Sequence, residues 1–267
     1  MAKKKNSRAI RIVGKGLLHL IKSPYYIGKG VYHLSKKTSN QIEKRKLKKI
    51  SSKIVPKYEE FKVVHVMQGD YDKWLSKITK SDSKIGIILG ARGSGKTAFG
   101  IKFLENVHAK HNKKCFAMGF KEEQMPPWIK VVNDLSEIQN NSFILIDEGG
   151  ILFSSRSSMS TANRLLSQLI LIARHKNLSI LFITQNSSNL EVNILRQADF
   201  LALKPSSLLQ NEFERKIIRK LYEETEEQFK EFEDDIGITH IYSNNFRGFI
   251  SNPLPSFWKE DISKSFK

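Results

Sequence analysis

"KIGIILGARGSGKT" (residues 84–97) sets the reading of the chain. Its first half is a short apolar run, the pattern of a strand buried on both faces of a parallel sheet. Its second half, Gly90–Thr97, fits G-x-x-x-x-G-K-[ST], in which a strand gives way to a glycine-rich loop and then a helix. Gly90, Gly93 and Gly95 permit backbone conformations that a Cβ would block. Successive N–H groups across Gly90, Ala91, Arg92, Gly93, Ser94 and Gly95 can then converge on phosphate oxygens at a helix N-terminus, whose dipole favours negative charge. Lys96 is placed to reach β- and γ-phosphates, and the Thr97 hydroxyl to ligate Mg²⁺. ATP and Mg²⁺ are the cofactors this implies.

From residue 84 onward, apolar runs alternate with helical patterns. Strands are expected at 84–89, 115–120, 142–147, 179–184 and 199–204. Helices are expected at 96–110, 129–139, 160–175 and 188–197, followed by one longer charged helix over about 207–235 that places Phe213, Ile217 and Leu221 at i, i+4 spacing. Strand and helix in turn imply an α/β fold of three layers, a mostly parallel sheet covered on both sides. "FKVVHVM" (61–67) is a further strand candidate and "DYDKWLSKI" (70–78) a short helix. "THIYSNNFRGFI" (239–250) reads as a hairpin around Asn244–Asn245. The division expected is a basic arm (1–60), a phosphate-loop domain (61–236) and a C-terminal hairpin and tail (237–267).

A second piece of chemistry is "FILIDEGG" (143–150). Four apolar residues make a central strand that delivers Asp147 and Glu148 to its C-terminal edge, where open α/β sheets bind ligands. Asp147 is expected to hold the Mg²⁺, through water, and Glu148 to polarise an attacking water. The strand "SILFITQN" (179–186) ends in Thr184 and Gln185. If it lies between the other two, Gln185 reaches the γ-phosphate or the lytic water.

The net charge of +18 is uneven: residues 1–60 hold 17 of the 45 basic and only 3 of the 27 acidic residues. Such an arm suits polyanions, either nucleic acid or an anionic membrane face. Within it "VGKGLLHLIK" (13–22) recurs fourteen residues later as "IGKGVYHLSK" (27–36), giving two short amphipathic segments. The single cysteine, Cys115, rules out an intrachain disulfide. No apolar run approaches the roughly 18 residues of a spanning helix, and "LLHLI" is too short for a signal-peptide core. A cytoplasmic protein is the expectation.

Together these residues resemble the FtsK–HerA superfamily of DNA-pumping ATPases, which includes viral genome-packaging motors. They are also similar to the assembly ATPases of filamentous phages and the related zonula occludens toxin family. "ARHKNLSILFITQN" (173–186) carries most of the likeness, with an arginine, a small spacer, an apolar strand and a terminal T-Q. The resemblance implies that Arg174 is presented to a neighbouring subunit's nucleotide, in a homo-oligomeric ring, typically a hexamer. Arg156 and Arg164 are competitors for that role, and a helix-end cation is the plain alternative for Arg174. The family usually has glycine where this chain has Asn177.

Three functions remain open on the sequence. One is an ATP-driven motor translocating or packaging DNA. Another is an ATPase whose arm docks on an anionic membrane and which drives virion assembly or export; Leu17, Leu20, Ile21, Tyr25, Tyr26, Val31 and Tyr32 among lysines suit an interfacial segment. The third is a nucleotide switch or kinase, because "DEGG" also satisfies D-x-x-G. Against a switch, no N-K-x-D follows a later strand to read guanine.

Overall fold

Ile85–Leu89 is buried at all five positions, as a strand sandwiched between two helical layers must be. In the computed structural model, which describes residues 54–80, 83–148, 159–190, 192–259 and 262, this strand lies inside a nine-stranded sheet. In chain order the strands are β1 (Lys62–Gly69), β2 (Ile85–Leu89), β3 (Lys114–Met118), β4 (Ile129–Val131), β5 (Ser142–Asp147), β6 (Leu178–Ile183), β7 (Phe200–Leu203), β8 (Ile238–Ser243) and β9 (Phe246–Ser251). Their order in space is β1-β9-β8-β7-β2-β6-β5-β3-β4. The six strands from β7 to β4 are mutually parallel, while β8, β9 and β1 are joined by antiparallel pairing.

Helix α1 (Tyr71–Lys80) and α2 (Lys96–His111) cover one face; α3 (Met159–Lys176), α4 (Val192–Gln197) and α6 (Lys216–Glu224) cover the other. The first face is aromatic: Trp74 packs edge-on against Phe200 and beside Phe246, with Phe99, Phe103 and Phe143 in the same cluster. The second is aliphatic, with Ile87, Ile144, Ile180 and Phe182 of the sheet meeting Leu166, Leu169 and Ile218. Each such side chain, buried to within a few per cent, contributes about 1.5–3 kcal/mol. The α/β, mostly parallel architecture expected from the sequence is the one observed.

Two expected elements are corrected. Residues 129–139 are not a helix but β4, paired parallel with β3, followed by a single 3₁₀ turn at Leu135–Glu137. Val132 and Ile138 are buried with Leu135 packed beside them, and their recurrence every third residue imitates a helical face. The Asp134–Glu137 pair does form a reciprocal capping box, but around one turn only. The long helix over 207–235 is likewise three pieces: α5 (Leu208–Phe213), α6 and α7 (Glu226–Glu231). It breaks at Glu214–Arg215, both extended, because the buried Glu214 carboxylate accepts from the Ser187 N–H (3.0 Å) and hydroxyl. Arg215 Nε donates to the Ser187 carbonyl at 3.0 Å. A tertiary tie of this kind overrides local propensity. As a result Phe213 and Ile217 face solvent, and Ile218, Leu221 and Tyr222 make the buried face.

The hairpin turns at Asn244–Asn245, where Ser243 Oγ accepts from the Phe246 N–H at 3.0 Å. Segment 237–251 is continuous with the domain, since β8 pairs with β7. Residues 54–60 run along α2, with the Lys57 N–H donating to the buried Glu105 carboxylate at 3.1 Å. Residues 1–53, including the "GKG" repeat, lie outside the described residues.

Candidate functional site

The loop after β2 is built as its glycines require. Gly90, Gly93 and Gly95 have φ of 150°, 80° and 88°, and α2 starts directly at Lys96. Lys96 is buried, and its ammonium donates to the carbonyls of Gly90 (2.8 Å) and Ala91 (2.7 Å), tying the end of the loop to its start. An ammonium has three donors, so one remains for a phosphate. Burial holds the Lys96 ammonium down at about 8, and the nearby Asp147 carboxylate opposes that shift. The Ser94 hydroxyl is buried with no hydrogen-bond partner among the described residues. Arg92 and Gly93 are exposed at the loop's tip.

Strand β6 lies between β2 and β5, with Asp147 opposite Ile183 and the Thr184 N–H donating to the Ile88 carbonyl at 3.0 Å. The ends of the loop strand and the acid strand therefore flank the end of β6. Glu148 is buried, and Thr184 Oγ1 donates to its Oε2. Burial pushes the Glu148 carboxyl up; hydrogen bonds from the Thr184 and Asn189 side chains pull it back, and the Asp147 charge adds to the rise. Thr184 is the residue whose role the sequence reading missed. The signal was present, since a hydroxyl one position before Gln185 ends the same strand.

Gln185 is exposed at this edge, and its backbone carbonyl accepts from Gln210 Nε2 at 2.5 Å, which links its loop to α5. Arg174 is elsewhere. It is exposed in the last turn of α3, just before β6 begins, and so lies at the sheet edge opposite Lys96. Arg164 is exposed on α3, and Arg156 lies outside the described residues. Asn177 has φ of 50°, the left-handed conformation that glycine adopts freely and asparagine tolerates. That accounts for the departure from glycine noted in the sequence.

The arrangement is a glycine-rich loop between a buried strand and a helix, with an acid pair two strands away. Residues 118–202 match the family model of zonular occludens toxin (Zot). The matched segment holds Asp147, Glu148, Arg174 and Gln185 but not the phosphate loop. Among solved structures, the chain is similar to B204, the DNA-packaging ATPase of Sulfolobus turreted icosahedral virus (17% identity, 65% of this chain, 99% of that chain, TM-score 0.45). It is also similar to the genome packaging NTPase B204 of Sulfolobus turreted icosahedral virus 2 in complex with ATP-γS (18% identity, 65% and 98% coverage, TM-score 0.44). No curated protein matches the sequence.

The residues fit a nucleotide with Mg²⁺. An orphaned buried hydroxyl, a lysine with a spare donor and a helix N-terminus face the same loop. Thr97 and Asp147 offer hard oxygens, and no cluster of three His, Cys, Asp or Glu exists among the described residues. Mg²⁺ bound mainly by phosphate and water needs no such cluster.

Proposed function

We propose that this chain is an ATP-hydrolysing motor of the FtsK–HerA kind that translocates or packages DNA. The observation that carries the reading is the insertion of β6 between β2 and β5, which sets Thr184 against Glu148 beside the Lys96 loop. Bound Mg²⁺·ATP supplies the transferable phosphoryl group and the charge that polarises it. The loop N–H groups and Lys96 would hold the phosphates, Thr97 and Asp147 would hold the metal, and Ser94 would donate to a phosphate oxygen. Glu148 accepts a proton from the attacking water at its carboxylate, with Thr184 fixing the rotamer. Gln185, at the same edge, orients that water or the γ-phosphate.

The match to the Zot family and the packaging ATPase named above agree with a motor acting in virion packaging or assembly. The basic residues of 1–60 supply a partner for DNA phosphates. We further propose a homo-oligomeric ring. Leu208, Leu209, Phe213 and Ile217 are exposed on α5 and α6, on the element that Gln210 links to Gln185, and a second copy seated there would border the site. Light scattering with and without Mg²⁺·ATP tests this, and a monomer under both conditions would refute it.

The deciding experiment is ATP turnover by the full chain with and without duplex or single-stranded DNA. Stimulation by DNA is expected. Turnover unaffected by any nucleic acid removes the DNA motor and leaves the second reading, in which the arm engages an anionic membrane during virion assembly. The residues favouring that alternative are the aromatic and aliphatic side chains between lysines at 17–32. Flotation of the chain with anionic liposomes reports on it. No helix among the described residues is long and apolar enough to cross a membrane.

A further inference from the structure

Lys204 directly follows β7 beside the phosphate loop and is fully buried, yet none of the roles above uses it. Its backbone is pinned on both sides. The Lys204 N–H donates to the Leu89 carbonyl (2.7 Å), its own carbonyl accepts from the Tyr222 hydroxyl (3.2 Å), and the Ala91 N–H donates to the Pro205 carbonyl (3.0 Å). The side chain then runs beneath the loop. A Cβ on Gly90 would stand 2.5 Å from the Lys204 Cβ, and one on Gly95 would stand 3.9 Å from its Nζ. The ammonium therefore lies under the start of α2. It donates to the carbonyls of Gly237 (2.7 Å) and Ile238 (3.3 Å) and to Asn252 Oδ1 (2.7 Å), and faces the Phe99 ring at 5.4 Å.

This is an unfavourable place for a cation. It stands near the positive end of the α2 dipole. Lys96 is the charged group that acts on it, and like charges repel. Among the described residues no carboxylate bonds to either ammonium; every acceptor is a neutral dipole. Burial, then Lys96, pushes Lys204 down to about 7. An apolar side chain of the same length would fill the space without that cost. Packing alone thus leaves the charge unexplained. An anion on the far side of Gly95 removes the cost, and a phosphate chain is the anion the loop is built to hold.

We propose that Lys204 is a positioning residue of the nucleotide site: a second buried cation that answers the phosphates through the loop and ties the occupied loop to the β8–β9 hairpin by way of Gly237, Ile238 and Asn252. The inference rests on reading Gly90–Thr97 as a nucleotide site.

Calorimetry of the full chain with Mg²⁺·ATP near pH ~7.5, in buffers of different ionisation enthalpy, counts the protons taken up on binding. The wild-type chain should take up protons that Lys204→Met does not, leaving only the share that Lys96 supplies. The variant's ATP affinity should be about tenfold weaker. Asn252→Asp gives Lys204 a carboxylate partner before any nucleotide arrives, so it too should cut the uptake; it decides the matter if Lys204→Met does not fold. Loss of packing alone would not move the proton count. Uptake equal to wild type in the folded variants overturns the proposal. Failure of the wild-type chain itself to bind ATP overturns the nucleotide-site reading and this inference with it.

Discussion

Thr184 Oγ1 donates to Glu148 Oε2, so the residue just after β6 holds the carboxylate just after β5. The Asn186 N–H donates in turn to Thr184 Oγ1 at 3.2 Å, and the Asn186 carbonyl is a second acceptor for the hydroxyl at 3.1 Å; an ionised Glu148, which can only accept, is the stronger of the two. Removing the hydroxyl, in Thr184→Val, leaves burial and Asp147 to raise the Glu148 carboxyl with less opposition. A base must be ionised to act, so the acid limb of the ATPase rate profile should move to higher pH. Turnover near neutrality should fall about tenfold, the worth of one hydrogen bond to a charged group. Rate–pH curves measured for both proteins check this; superimposable curves would refute it.

Glu148→Gln separates holding from hydrolysing. The amide oxygen still accepts from Thr184, so the loop and its lysine remain in place and ATP binding is retained. The proton acceptor is gone, and phosphate release should drop by about 10²-fold or more. Lys96→Met, which keeps the stem but removes the ammonium that bridges Gly90 and Ala91, should lose binding as well. Direct binding and phosphate-release assays on the two variants should therefore diverge. Equal loss of binding in both would contradict the division of labour.

What the sequence made legible follows from how local each determinant is. The loop, its strand and its helix are contiguous residues whose geometry is set by three glycines, and every one of them stands where expected. Asp147 and Glu148 were readable because four apolar residues bury the strand that carries them. The position of β6 between β2 and β5 is a long-range fact that the sequence left conditional, since no local pattern sets the order of parallel strands. Residues 129–139 misled because a short parallel strand and a capped turn place Val132, Leu135 and Ile138 three apart. The breaks in 207–235 depend on Ser187 meeting Glu214, residues 27 positions apart, which no local pattern discloses. Lys204 was invisible for the same reason, its partners being at 237, 238 and 252.

His240 offers a test of stability. Its ring is buried against Phe249, with centroids 4.9 Å apart, and neither ring nitrogen has a hydrogen-bond partner among the described residues. Burial, helped by the Arg247 charge, holds it down at about 4, against an ordinary value of 6.5. Above the ordinary value both folded and unfolded chains carry the ring neutral. As pH falls from there toward the folded value, only the unfolded chain gains the proton, so stability is lost. His240→Phe abolishes that loss. Its advantage over wild type in urea denaturation should be about 2 kcal/mol larger near pH ~5 than near pH ~7.5. Parallel stability curves for the two proteins would show that the ring is not held neutral.

Arg174 offers a test of whether one chain completes another's site. Helix α3 spans 18 residues, about 27 Å, and runs from the loop edge of the sheet to the opposite edge. Arg174, exposed in its last turn, is therefore out of reach of its own Lys96, and any nucleotide it contacted would be a neighbour's. With His175 and Lys176 it also forms the basic end that the helix dipole prefers, and Lys176 Nζ already anchors that end on the Ile138 carbonyl at 2.9 Å. If Arg174 stabilises a neighbour's transferring phosphoryl group, Arg174→Ala should cost about 10²–10³-fold in turnover while leaving the fold intact. Mixing that variant with Glu148→Gln should then recover activity, because an intact Glu148 from one protein meets an intact Arg174 from the other. A dipole partner gives a different outcome: a small loss of stability, nearly normal turnover, and nothing gained by mixing. The mixed assay separates the two because only an arginine acting across a subunit boundary can be supplied by a chain that is itself unable to hydrolyse ATP.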